Sequence, residues 1–315
     1  MLTSENISRL LKDNVGKVIV GKQDAVQLLL IALLCRGHVL IEDVPGVGKT
    51  TLVSALARSL ELSFKRIQFT PDITPSDITG FTMANFKTGE MEYHPGLVMS
   101  QIVLADEINR TSPKTQSSLL EVMEEGQVTV DGVTYRMPQP FIVLATQNPV
   151  DFVGTYPLPE AQLDRFFMRI SIGYPSAEEE TEILLRYTTG TRPIETLGPV
   201  CSSREIQSLQ GEVEDVYSSK EVRAYISLIA AASRKSNALQ LGISTRATIS
   251  LLRAAQARAL LSGRDYVLPE DVQAMAQPVI CHRIMLSPEA RMRGITAERA
   301  LQTVMNSVQV PVKLP

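Results

Sequence analysis

The sequence predicts an α/β domain built on a mostly parallel sheet, followed by a smaller all-helical domain. Three observations carry this. Five short apolar runs, at 39–41, 66–69, 102–105, 141–145 and 167–170, alternate with helical patterns. The runs at 39–41, 102–105 and 141–145 are continuously apolar rather than cleanly alternating, which marks strands buried on both faces, as in a parallel sheet covered by helices. After Tyr174-Pro175 the strand signals stop and only helical patterns follow. The division therefore falls near Gly173, giving units of 1–173 and 174–315.

Taken in order, the first unit has helical patterns near 23–36, 50–61 and 113–125 between its strands. The last is bounded by Ser112 as N-cap, Pro113 in the first turn and Gly126 as the stop. Two segments stand outside the strand–helix alternation. Residues 127–136 read as a hairpin, because Asp131-Gly132 suits a two-residue type I′ turn. Residues 81–96, with Thr88-Gly89 in the middle, read as a second hairpin or loop with a polar tip at the surface. In the second unit Ser176 and Glu179 form a capping box that opens a helix to about Tyr187. Residues 188–203, with Gly190, Pro193, Gly198 and Pro199, read as a long loop. Helices are then expected near 219–233, 245–261, 269–276 and 296–307.

Composition narrows the class. The 315 residues carry 31 Lys+Arg against 34 Asp+Glu, a net charge of −3, which argues against an electrostatic nucleic-acid binder. Cys35, Cys201 and Cys281 are odd in number and far apart, with no Cys-x-x-Cys pair, so a disulfide scaffold or zinc ribbon is not expected. The first residues show no basic then apolar leader, and the longest apolar stretch, 28–35, is too short to span a bilayer. A cytoplasmic protein without a membrane segment is the expectation.

The most informative stretch is Asp43-Val44-Pro45-Gly46-Val47-Gly48-Lys49-Thr50, which follows an apolar strand and opens a helix. That is the setting of a phosphate-binding loop. Glycines 46 and 48 let backbone N–H groups turn inward, and the helix N-terminus adds its positive end. Lys49 would reach the β- and γ-phosphates and the Thr50 hydroxyl would ligate Mg²⁺. The strict Gly-x-x-x-x-Gly-Lys-Ser/Thr pattern is not met, because Asp43 stands where the first Gly belongs. A carboxylate there repels phosphate unless it points away.

Asp106 and Glu107 end the run 102–105. In open α/β sheets ligands bind outside the carboxyl ends of strands, so these acids and Lys49 converge. Asp106 would hold Mg²⁺ through water, and Glu107 would orient and polarise the attacking water. Asn148 ends the next strand and could sit between that water and the γ-phosphate, although Asn148-Pro149 suits a plain turn equally.

Four segments together resemble the AAA+ ATPases of the MoxR type. They are Glu42 to Thr50, Leu104-Ala105-Asp106-Glu107-Ile108-Asn109-Arg110, Ala145-Thr146-Gln147-Asn148-Pro149, and Pro159-Glu160-Ala161-Gln162-Leu163-Asp164-Arg165-Phe166. The likeness continues through Ser244-Thr245-Arg246-Ala247 and Leu286 to Arg291, nearly the whole chain. It implies a P-loop AAA+ core with a parallel five-stranded sheet, then a helical lid, and ATP hydrolysis with Mg²⁺. The nucleotide would lie on Pro45, Gly46, Val47, Gly48, Lys49, Thr50 and Thr51, with Val20 and Gly21 gripping adenine by backbone. Lys49 and Thr50 match Walker A, Asp106 and Glu107 match Walker B, and Asn148 matches sensor 1. Arg165 looks like an arginine finger given to a neighbouring subunit, though an ion pair near Asp164 is an ordinary alternative. Arg246 resembles sensor 2, with the subunit it serves left open; Thr245 departs from the Pro that commonly precedes that arginine. Arg110 suits either a trans-acting group or a structural one and stays outside the core set. The segments 81–96 and 127–136 resemble the two insertions of the helix-2-insert clade.

The resemblance further implies a homo-oligomeric, hexameric ring, chaperone-like remodelling of a protein client, a partner with a von Willebrand factor A domain, and possible work in metal-cofactor insertion. The rival from another class is a nucleic-acid remodelling ATPase of the helicase-related AAA+ clade. It fares poorly on charge, since residues 127–136 carry one Arg and one Asp. A GTPase would need an Asn-Lys-x-Asp motif, which the sequence lacks. His38, His94 and His282 show no ligand spacing and read as structural or exposed. Arg246, Arg253 and Arg264 read as solvated or ion-paired rather than as a nucleic-acid track.

Overall fold

The computed structural model describes residues 3–148, 154–188 and 193–311. Met1, Leu2, Pro149 and Gly190, which entered the expectations above, lie outside the described residues. The first half runs α1 (Ser4–Gly16), α2 (Gln23–Leu34), β1 (Val39–Glu42), α3 (Lys49–Ser59), β2 (Phe64–Gln68), α4 (Pro75–Thr79), β3 (Gly80–Ala84), β4 (Met91–Pro95), β5 (Ile102–Asp106), α5 (Pro113–Glu125), β6 (Gln127–Val130), β7 (Val133–Arg136), β8 (Ile142–Gln147), α6 (Glu160–Leu163) and β9 (Met168–Ile170). The second half runs α7 (Ala177–Tyr187), α8 (Ser203–Asp215), α9 (Lys220–Lys235), β10 (Leu239–Leu241), α10 (Thr245–Leu261), α11 (Pro269–Ile280), β11 (Met285–Leu286), α12 (Pro288–Met292) and α13 (Ala297–Asn306).

Five strands form one parallel sheet in the order β2-β5-β8-β1-β9. Its central strands are buried on both faces, which is why they read as unbroken apolar runs. Side chains alternate between two cores, as strand geometry requires. Val39, Ile41, Ile102, Leu104, Ile142 and Leu144 face one core, which α1, α2, α3 and the helices of the second half complete. Leu40, Val103, Ala105, Val143 and Ala145 face the other, with Leu119, Leu120 and Met123 of α5. The apolar run 28–35 belongs to α2, which is buried nearly all round because it lies between the sheet and helices α1, α8 and α10.

Local signals explain the boundaries. Ser112 Oγ accepts the Thr115 N–H at the start of α5, and Gly126 ends it with φ +62°. Asp131 and Gly132 both have positive φ, +48° and +81°, as the type I′ turn between β6 and β7 demands. The segment near 81–96 is the hairpin β3–β4, stacked on the other hairpin through Tyr93 and Tyr135, whose ring centroids are 3.8 Å apart. Its tip departs from the polar expectation: Phe86 is 96% exposed, with Met83 and Met91 also exposed.

Helices α1 and α8 were not anticipated from the sequence, and the helical half also carries the small antiparallel pair β10–β11. Among its described residues, the expected loop before α8 contains a 3₁₀ turn at Pro193–Thr196. Among the described residues, no helix is long and apolar enough to cross a membrane.

Candidate nucleotide site

The loop after β1 carries Gly46 and Gly48 at φ +87° each, a conformation that side chains with a Cβ resist. Gly48 is the N-cap of α3, so Lys49, Thr50 and Thr51 form the first turn, with free N–H groups at its positive end. Lys49 Nζ donates to the carbonyls of Asp43 at 2.9 Å and Val44 at 3.3 Å, folding back over its own loop. Asp43 turns away from the loop interior, which answers the objection its charge raised. Its buried carboxylate accepts from Ser171 Oγ at 3.0 Å, the Gly173 N–H at 3.1 Å and the Ile172 N–H. The residue that breaks the glycine pattern thus fastens the loop to the segment leaving the sheet.

The carboxyl ends of β5 and β8 face this loop. Asp106 is buried, accepting from Thr146 Oγ1 at 2.6 Å and from Arg66 Nη2 at 2.5 Å. Glu107 takes the left-handed conformation, φ +57°, which is uncommon for a residue with a Cβ and turns its side chain off the strand line. Its N–H donates to Thr146 Oγ1 at 2.9 Å, and its Oε2 accepts from Gln68 Nε2 at 2.9 Å and faces Arg110 Nε at 3.2 Å. A cleft of about 340 Å³ brings together Pro45, Gly46, Gly48, Lys49, Thr50, Thr51, Arg66, Gln68, Asp106, Glu107 and Asn148. Beside it a mostly apolar recess of about 270 Å³ is lined by Val18, Ile19, Val20, Val47, Pro175 and Ile183 together with Lys22, with Gly46, Gly48 and Thr51 shared between the two. The loop residues, both acids, Asn148, Val20 and Val47 therefore meet as the sequence placed them, while Gly21, φ +72°, packs on Glu179 one residue beyond the recess.

Arg66, Gln68 and Thr146 were missed. Arg66 and Gln68 are two apart on β2 and so share one face, and the register sets Gln68 beside Asp106. Only the strand order, which puts β2 next to β5, reveals that this face meets the two acids.

Arg165 and Arg246 are elsewhere. They line a separate pocket of about 220 Å³ with Cys35, Arg36, Gly37, His38, Glu124, Asp164, Phe167 and Arg283. Gly37 and His38 lead into β1 and Phe167 leads into β9, so this pocket lies at the amino edge of the sheet. The phosphate loop leaves the carboxyl edge. The four residues of β1 separate the two edges, about 13 Å at roughly 3.3 Å per residue. Within the pocket Arg165 Nε is 3.3 Å from Glu124 Oε2, and Arg246 Nη2 donates to Glu124 Oε1 at 2.7 Å. The hydrogen bond from Arg246, with the charge of Arg165 beside it, holds the Glu124 carboxyl below its usual range. The other arginines the sequence singled out are spoken for: Arg110 pairs with Glu107, Arg264 with Asp271, and Arg253 donates to Gln256 at 3.5 Å.

A phosphate-binding loop at the carboxyl edge of a parallel sheet, with paired acids at the end of β5, one strand removed from β1, defines a P-loop nucleotide hydrolase. Residues 38–168 match the family model described as ATPase family associated with various cellular activities (AAA), and residues 231–304 match an AAA lid domain. The chain is 54% identical over 301 residues to YeaC of Bacillus subtilis (strain 168), an uncharacterized protein, covering 96% of this chain and 94% of that one. It is 40% identical to Chaperone MoxR1 of Mycobacterium tuberculosis, over 94% of this chain and 80% of that one. It is 34% identical to Protein MoxR of Paracoccus denitrificans, over 86% of each. A crystal structure of a provisionally assigned ATPase from Cytophaga hutchinsonii superposes with a TM-score of 0.91 at 40% identity, covering 98% of this chain and 96% of that one. The chain belongs to the MoxR-type AAA+ ATPases, and its reaction is the hydrolysis of ATP.

Proposed function

We propose that this ATPase works as a homo-oligomeric ring, hexameric by analogy with its family, in which each subunit's Arg165 and Arg246 act on the neighbour's nucleotide. One observation carries this: both arginines sit at the amino edge of the sheet, a strand length from their own phosphate loop, side by side and partly exposed. A guanidinium cannot cross the sheet to its own γ-phosphate. In a closed ring, one subunit's amino edge can face the next subunit's carboxyl edge.

On this reading ATP lies with its base in the apolar recess and its phosphates over the first turn of α3. Lys49 leaves the Asp43 and Val44 carbonyls for the β- and γ-phosphates. Glu107 orients the attacking water and takes up its proton as the water's oxygen bonds to γ-phosphorus. Asn148 bonds that water or the γ-phosphate, and ADP leaves with the broken P–O bond's electron pair. The donors fit a hard divalent cation: an Asp106 carboxylate already stabilising the Arg66 cation, and the Thr50 hydroxyl across the same cleft. Bound there, Mg²⁺ would neutralise charge on the β- and γ-oxygens.

The output is chaperone-like remodelling of a protein client by movement of a lid, residues 174–315, against a core, residues 1–173. The MoxR group also supports a partner with a von Willebrand factor A domain and a part in metal-cofactor insertion. Three free thiols suit the reducing cytoplasm.

Variants test the site. Lys49→Ala should lose nucleotide binding, Glu107→Gln should bind ATP without turnover, and Arg165→Ala should bind ATP yet hydrolyse about 10³-fold more slowly. Wild-type turnover by Arg165→Ala in a steady-state phosphate-release assay at ring-forming concentration would remove the finger assignment.

A further inference from the structure

The arginine pocket contains two carboxylates whose placement the hydrolytic residues do not explain. Glu124 lies in the last turn of α5, from the core, and Asp164 is the C-cap of α6; Arg246 lies in the first turn of α10 and Arg283 follows α11, both from the helical half. Charges alternate across the two halves. Arg283 Nε lies 3.3 Å from Asp164 Oδ1, Asp164 Oδ2 lies 3.7 Å from Arg246 Nη1, and Glu124 reaches Arg246 with one oxygen and Arg165 with the other.

The two ends of this chain differ. The Arg283 side chain is 3% exposed, donates to the Phe166 carbonyl at 2.8 Å, and has its pKa pulled down to about 10 by burial. It is an anchor. Arg165 is one-third exposed and is held through Nε, so its two Nη groups, which have no partner among the described residues, form the outward edge. Two guanidiniums meant for one phosphate repel each other and would splay apart unless a carboxylate lay between them. Within this network three arginines meet two acids, and Arg36 of the same pocket lies 4.0 Å from Glu214 outside it, so the pocket keeps the surplus positive charge that a receiver for an anion requires.

We propose that Glu124 is a positioning residue for hydrolysis at the neighbouring subunit's nucleotide. It bridges Arg165 and Arg246 so that both present free N–H groups to one γ-phosphate, while Asp164, clamped by Arg283, fixes the far side of Arg246. This rests on the trans assignment of the two arginines. Because the bridge joins core to helical half, it also fixes the lid's angle in the state that catalyses.

The test uses the full chain with Glu124→Gln and Glu124→Ala, alone and combined with Arg165→Ala. The Glu124 side chain is exposed, so the variants should keep the wild-type thermal midpoint. Turnover should fall about ten- to hundredfold, since a displacement near 1 Å costs that much. KM for ATP and ring assembly by light scattering should stay unchanged. With Arg165 already Ala, the same Glu124 substitution should cost less than about threefold, because linked residues are not additive. Turnover that is unchanged, or raised as removal of a competing carboxylate would make it, overturns the proposal. So does an equal loss in the Arg165→Ala background, or a shift of KM or assembly together with kcat. Should Arg165→Ala alone turn over like wild type, the trans assignment itself fails, which is a separate result.

Discussion

His38 is held as a neutral imidazole. The Val143 N–H donates to Nδ1 at 2.9 Å, so Nε2 carries the proton and gives it to the Met123 carbonyl at 2.8 Å. Burial brings its pKa down to about 4, and burial likewise brings His282, bonded through Nε2 to the Phe166 carbonyl at 2.9 Å, to about 3. Both values lie below that of an unfolded histidine, so between pH 6.5 and the folded value the unfolded chain binds the extra proton. Stability is therefore fully present above pH 6.5 and falls as pH drops towards 4 and then 3. At pH 5 each ring should cost about 2 kcal/mol relative to pH 7.5. Urea midpoints at the two pH values measure this, and His38→Gln should flatten the slope by about half. An unchanged slope in that variant would mean that His38 is protonated inside the fold. The sequence reads these rings as structural or exposed and gives no reason for either; in the structure each ties the start of a sheet strand to a neighbouring element.

Among elements, α11 shows how much rests on one cap. Asp271 is fully buried in its first turn, accepting the Leu268 N–H at 2.9 Å and both Arg264 Nη groups, at 2.7 and 2.8 Å, together with Arg258 of α10. Asp271→Ala would leave two half-buried guanidiniums and an N–H without their acceptor, so it should destabilise the chain by about 3 kcal/mol. Chemical unfolding reads this, and a loss under about 1 kcal/mol would show that water replaces the carboxylate freely. Caps of this kind were legible where the flanking pattern was strong, as at Ser112 and Ser176. They were not legible at Ser202, although it forms the same box with Glu205, because Gly198 and Pro199 just before it read as loop. Helix α1 escaped for another reason: only Ile7, Leu11 and Val15, one stripe in a polar segment, mark its buried face. The apolar tip of β3–β4 was hidden too, since a Phe86 among Asn, Lys, Thr and Gly gives no sign of its exposure.

At the scale of the molecule, what was legible divides along the sheet. Lys49, Thr50, Asp106 and Glu107 each end a strand or begin a helix, and the rule that ligands gather at carboxyl ends joined them without knowledge of strand order. Arg165 and Arg246 obey no such rule. Their meeting depends on the segment between α6 and β9 and the start of α10 both reaching Glu124 of α5 at the amino edge, a long-range contact with no local signal, and so the subunit that Arg246 serves could not be read from the chain. The geometry now gives that separation a consequence in solution. If the two arginines work only across a subunit boundary, a dilute protomer holds ATP without its charge stabilisers, and turnover per chain should rise with concentration. A sharper form uses two inactive variants. Arg165→Ala keeps an intact phosphate loop, whereas Lys49→Ala keeps an intact arginine pocket. Mixed in one ring, the first supplies the nucleotide site and the second the finger, so the mixture should hydrolyse ATP well above the sum of the two alone. Activity in a mixture that peaks at intermediate ratios follows only if the groups reside on different subunits. A flat sum at every ratio, with co-purification of differently tagged variants showing mixed rings, would remove the trans assignment of Arg165.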